Sequence, residues 1–175
     1  MMGRQIRVVV STQVLQLLED GTQVNRWPVS TAAFGVGSRP NSNQTPLGLH
    51  RIYEKIGDGM PRGAVFVGRR YTGIIWNGEP TEEDGVLTRI LRLEGLDPGN
   101  LTSLERCIYI HGTNREADIG RPLPVFQRAA AWVRGQPTWH PEPRSHGCVR
   151  MRNLDVMDLY DRVAVGDEVL IVETL

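Results

Sequence analysis

The sequence predicts a mainly β domain, a β-sandwich of short mixed strands with a C-terminal helix and a helical insertion near residues 121–144. Three observations predict it. Apolar residues recur with period two through the first two-thirds of the chain, the spacing of strands that bury one face. Nineteen glycines and 11 prolines punctuate that pattern at short intervals. Only two segments switch to helical spacing. At 175 residues, 40% of them apolar, the chain is long enough for one domain, residues 1–175, with its own core.

Taken in order, residues 6–10 read as a first strand, and 14–18 and 24–29 as a hairpin, because Asp20-Gly21 tolerates the positive φ of a tight connection. Residues 35–46 hold too many turn formers for a regular element. Further strands are expected at 48–55, 64–67, 73–76, 86–93 and 106–111. The stretch 125–134 is Ala-rich and helical, with Gly135 just past its end. A second helix over 153–163 begins with Asn153 as expected N-cap, carries Asp155 in its first turn, and places Leu154, Val156, Met157, Leu159 and Val163 at helical spacings. A strand over 168–173 follows. There is no internal repeat.

Twenty cations balance 20 anions, so no basic surface supplies the phosphate neutralisation that nucleic acid or an anionic membrane demands. No apolar run approaches the roughly 18 residues of a spanning helix, and the apolar stretch near the start ends at Ser11, short of a signal-peptide core. The sequence reads as cytosolic or already trimmed. Nineteen of the cations are Arg, and Lys55 is the single lysine. Two cysteines, Cys107 and Cys148, make no disulfide framework. Cys107, within an apolar stretch, reads as a small buried side chain, and His50 as a strand residue facing solvent or a hydrogen-bond partner.

The chemistry concentrates at two places. His111 opens His-Gly-Thr-Asn at the end of a predicted strand, and Cys148 lies in the Ser-His-Gly-Cys-Val-Arg string at 145–150, just before a helix. A thiol becomes a strong nucleophile when an imidazole takes its proton or holds the thiolate as an ion pair. Glycine before the nucleophile lets backbone amides face the attacked carbonyl oxygen. These are the parts of an acyl-transfer site.

Those strings, with Ile119-Gly120, Thr45-Pro-Leu-Gly48 and the 159–172 segment, resemble the L,D-transpeptidase (YkuD-like) catalytic domain over nearly the whole chain. The resemblance implies that fold and a cysteine-dependent acyl transfer on peptidoglycan stem peptides, with a tetrapeptide donor and an amine acceptor. It implies no metal and no organic cofactor. Carried onto this sequence, Cys148 is the nucleophile, His111 the general base, and the amides of Gly147 and Cys148 the oxyanion donors. His146 lines the site, and Ser145 or a backbone carbonyl near Gly112-Thr113 orients the His111 ring. Gly112, Thr113 and Arg150 are expected at the substrate, Arg150 either gripping a carboxylate or bracing the Cys148 loop.

Between His111 and Ser145 lie 33 residues, a longer link than the family pattern implies. The excess, 121–144, is expected to act as a lid, with Trp139 and His140 at its rim, or as a flap that never meets substrate. L,D-carboxypeptidase or endopeptidase activity shares the same acyl-enzyme. Zinc binding by His111, His140, His146 and Cys148, or a non-catalytic peptidoglycan-binding module, are the alternatives of other classes. The resemblance implies the cell envelope or periplasm. A cytoplasmic site or export as an effector are the alternatives, and the oligomeric state is undetermined by sequence.

Overall fold

The computed structural model describes residues 3–79, 81, 83–120 and 145–175. The first three strands, β1 (Arg4–Val9), β2 (Val14–Glu19) and β3 (Thr22–Pro28), form an antiparallel meander. Asp20 and Gly21, at φ 51° and 79°, make the tight turn that the sequence anticipates between β2 and β3. Then come β4 (Gly48–Ile56), β5 (Ala64–Val67), β6 (Arg70–Ile75), β7 (Val86–Gly95), β8 (Tyr109–Gly112) and β9 (Val149–Met151). Helix α1 (Asn153–Arg162) and β10 (Glu168–Val172) complete the described elements.

All ten strands join one mixed sheet. β10 enters between β1 and β4, parallel to β1 and antiparallel to β4. β7 organises the rest. Its Ile90 pairs with Ile56 of β4 and with His111 of β8, while its Leu87 pairs with Val65 of β5 and with Gly112 of β8. β4 and β5 therefore share one edge of β7, and β8 takes the other, with β9 parallel beyond it. The register against β8 skips Thr88 and Arg89, a bulge opposite the His111–Gly112 peptide.

One core unites these parts: Ile6, Leu15, Leu91, Ile110 and Met151 from the sheet meet Val156, Leu159, Tyr160 and Val163. The last four fall at helical spacing and put one face of α1 against the sheet, each burial contributing about 1.5–3 kcal/mol. Leu154, expected on that face, is exposed. The 3.6-residue period turns it to the opposite side.

The ends of α1 are closed by side chains from elsewhere. At the C-terminus, Lys55 Nζ donates to the carbonyls of Tyr160 and Val163, at 2.7 and 2.6 Å, and lies 4.1 Å over the Tyr160 ring. A cation at that pole satisfies orphan carbonyls and complements the helix dipole. Lys55→Met is expected to lower stability by about 1–2 kcal/mol, a drop of a few degrees in Tm, measured by thermal unfolding. At the other end the cap position is Arg152, which makes no side-chain cap bond. Asn153 is the first helical residue, and its N–H is taken by the Glu116 carboxylate at 2.5 Å.

Three further differences from the sequence reading have local causes. The strand expected at 106–111 starts only at Tyr109, because Cys107 adopts a left-handed φ of 57° that turns the chain. Cys107 is accordingly half-exposed rather than buried. His50 is fully buried, its ring nitrogens 3.0 Å from the Gly48 carbonyl and the Ser103 hydroxyl, so it is a hydrogen-bond partner and does not face solvent. The proposed insertion at 121–144, with Trp139, His140 and its helix, lies outside the described residues.

Candidate active site

β8 and β9 run side by side with His111 opposite Arg150. The turn at 145–148 leads into β9, so the thiol of Cys148 comes to rest against the start of β8. Its Sγ accepts the Tyr109 N–H at 3.4 Å and donates to the Cys107 carbonyl at 3.3 Å. Tyr109 and His111 share a face of β8 by the two-residue period of a strand.

His111 is 2% exposed, and its Nδ1 lies 2.6 Å from the Gly112 carbonyl. A carbonyl only accepts, so Nδ1 carries the proton and Nε2 is the basic nitrogen. The carbonyl, not Ser145, orients the ring. The following peptide is held in turn: Asn153 Nδ2 donates to the Thr113 carbonyl at 2.9 Å, and Asn153 Oδ1 accepts the Thr88 hydroxyl at 2.5 Å. A Cβ on Gly112 would stand 2.3 Å from Asn153 Oδ1 and 2.7 Å from the Leu87 carbonyl, so only glycine fits at that approach. Thr88 itself is fully buried at φ 71°, a conformation costly for a β-branched residue and found here in the bulge opposite the His111–Gly112 peptide.

The Cys148 turn is tied down on its other side. Ser30 pairs with Arg150 and Ala32 with Ser145 as isolated bridges. Thr45 Oγ1 accepts the Ala32 N–H at 2.9 Å and donates to the Gly147 carbonyl at 3.0 Å. Ser145 Oγ donates to the Cys148 carbonyl and accepts the Gly147 N–H at 3.2 Å. Gly147 at φ 125° makes the turn. The Cys148 N–H makes no hydrogen bond among the described residues.

Electrostatically, both partners rest neutral. Burial pushes the Cys148 thiol up to about 12, reinforced by Asp84 and Cys107 and only partly opposed by the Tyr109 N–H and Arg106. Burial also lowers His111 below its ordinary 6.5, against smaller raising effects of the Gly112 carbonyl and Asp84. A resting thiolate–imidazolium pair does not form under these shifts. The thiol and the imidazole each rest uncharged.

A match to the L,D-transpeptidase catalytic domain (YkuD) runs over residues 3–171. The chain belongs to that family. Solved structures agree in fold. An L,D-transpeptidase from Xylanimonas cellulosilytica is 19% identical over 98% of this chain and 61% of that one, with a TM-score of 0.52. A cysteine-to-serine mutant of an Enterococcus faecium L,D-transpeptidase is 18% identical over 97% and 50%, TM-score 0.52. L,D-transpeptidase 3 from Mycobacterium tuberculosis, with a faropenem-derived adduct, is 19% identical over 97% and 60%, TM-score 0.50. The chain thus spans 50% to 61% of the length of these solved proteins. No protein of curated function matches its sequence.

In this L,D-transpeptidase domain the residues singled out in the sequence fall into two groups. Cys148, Ser145 and Gly147 form the turn with His146 exposed among them, and His111 lies on β8 opposite Arg150. Arg150, Thr113 and Gly112 lie inside. Arg150 is 1% exposed, with Nη1 on Asp84 at 3.0 Å and Nη2 on the Ser30 hydroxyl at 3.3 Å. Thr113 is fully buried and donates to the same Asp84 carboxylate at 3.2 Å. Of the two roles open to Arg150, its surroundings make it a brace, through a carboxylate and a hydroxyl in place of carbonyls. Among the described residues no group of three or more His, Cys, Asp or Glu is placed to hold a metal ion.

Sequence reasoning missed Asp84, Thr88, Asn153 and Tyr109. Asp84 sits in Glu-Glu-Asp-Gly, which reads as an ordinary turn. Asn153 at a helix start reads as a cap, and only its side-chain bonds reveal that it serves the histidine loop.

Proposed function

We propose that this domain performs cysteine-dependent acyl transfer on peptidoglycan stem peptides in the cell envelope. Cys148 Sγ attacks the carbonyl of the stem's third residue while His111 Nε2 takes the thiol proton. The new S–C bond forms a tetrahedral oxyanion that the Cys148 N–H meets. When the C–N bond to the terminal D-amino acid breaks, His111 returns the proton to the leaving amine. An amine of a second stem then captures the thioester to give a cross-link, or water releases the acid.

The observation that supports this most is a histidine whose tautomer the Gly112 carbonyl fixes, on the strand that pairs with the one Cys148 leads into. The full set of acyl-transfer parts also favours an enzyme over a binding module that keeps only the fold.

The experiment is intact-mass spectrometry of the protein after incubation with faropenem, and mass analysis of products from a disaccharide tetrapeptide. The expected result is one adduct per chain, lost in Cys148→Ala, and release of the terminal D-amino acid with cross-linked dimer or shortened peptide as the partner product. An adduct that persists in Cys148→Ala, or wild-type protein that leaves every tetrapeptide intact, overturns the reading.

A further inference from the structure

Three guanidinium groups border the surroundings of Cys148, and they differ in what they hold. Arg150 is buried on Asp84 and Ser30. Arg106, half-buried, donates to the carbonyls of Gly37 and Gln44 at 3.2 and 2.6 Å and braces that loop against Gly147. Arg69 stands apart. It is exposed at the turn of the β5–β6 hairpin, where Gly68 and Arg69 take φ 54° and 66°.

Arg69 Nη1 donates to the Tyr109 hydroxyl at 3.2 Å and passes 3.9 Å from Cys107 Sγ. Nε and Nη2 have no partner among the described residues. Tyr109 is 7% exposed, and its own N–H is the one that reaches Cys148 Sγ. A single tyrosine thus links the two, its hydroxyl to the guanidinium and its N–H to the Cys148 sulfur. A fork fixed at one nitrogen and open along its other edge suits a bidentate carboxylate. Glu54, whose charge also reaches Arg69, already pairs with Arg92 at 2.9 Å.

We infer that Arg69, oriented by Tyr109, is a specificity-determining residue that binds a carboxylate on the side chain of the acylated residue of the donor. The inference rests on the acyl-transfer reading for the identity of the donor. It moves carboxylate recognition away from Arg150, whose guanidinium is buried, to an exposed cation joined to the Cys148 site through Tyr109. An exposed site also makes the attraction sensitive to salt.

The test is calorimetric binding of two tetrapeptides to the Cys148→Ala protein, which cannot turn them over. The peptides are identical except that the third residue's side-chain carboxylate is free in one and amidated in the other. The expected result is about tenfold tighter binding of the free carboxylate, a preference that Arg69→Gln removes, that Arg69→Lys restores in part, and that added salt weakens. A preference that survives Arg69→Gln, or equal binding of the two peptides to the parent, overturns the inference. Turnover of both peptides by protein with Cys148 intact is measured alongside. Its absence counts against acyl transfer, and binding without an Arg69-dependent preference counts against Arg69.

Discussion

Replacing His111 with Gln is expected to reduce kcat by at least about 10³-fold at pH 7, because in the proposed mechanism it is the group that takes the thiol proton. With the thiol held up at about 12, only about one molecule in 10⁵ carries a thiolate at pH 7. In the proposed mechanism His111 removes that proton during attack, so a low thiolate population does not limit the wild-type rate. The variant must draw its thiolate from solvent. Its residual rate is expected to climb about tenfold per pH unit between pH 8 and 10, where the wild type stays level.

The acid side follows from the opposite shift. His111 sits below 6.5 and must be neutral to act, so wild-type kcat/KM holds at neutral pH and falls only as pH drops below 6.5. The same group links to stability. Between the lowered folded value and 6.5 the unfolded chain binds the extra proton, so this contribution is fully present above 6.5 and is lost as pH falls through the folded value. A pH–rate profile of both proteins checks the pair of statements. A variant that keeps a tenth of the activity, or a level alkaline limb without His111, contradicts them.

Arg150→Met is expected to be the most destabilising single change near the site, at about 3–5 kcal/mol, because it strands Asp84, only 17% exposed, without its cation. Asp84→Asn in the same chain is expected to recover a part, since the amide needs no counter-charge. Chemical denaturation of the single and double variants measures both. The kinetic sign is also fixed. Arg150 lowers and Asp84 raises the affinity of His111 for its proton, so removing the arginine alone moves the acid limb of the rate profile to higher pH. A simple loss of folded protein leaves that limb in place.

The strand pattern was legible because a half-buried strand writes itself as alternation. β2, β4, β5 and β7 lie within a residue or two of the expected spans. The failures came where a local element answers to a distant one. The left-handed Cys107 is set by the thiol and hairpin packed around it, and β9 is three residues long. Likewise the nucleophile turn and the histidine strand could be found as strings, since each carries its own glycine chemistry. Asp84 and Thr88 could not, because what makes them matter is a partner 66 and 65 positions away. Arg150 could be singled out from its adjacency to Cys148, as a carboxylate grip or a brace, but its partners Asp84 and Ser30 could not be read from the sequence.

Lys55 gives the proposed chemistry an unexpected setting. A thioester is open to any uncharged primary amine that reaches it, including those on a neighbouring copy of the same protein. Here the chain carries 19 guanidiniums, protonated and non-nucleophilic at any physiological pH, and one side-chain amine. That amine is fastened to two helix carbonyls. The side chains of this domain therefore offer a poor acceptor for an acyl group on Cys148, and the proposed intermediate is protected from capture by them.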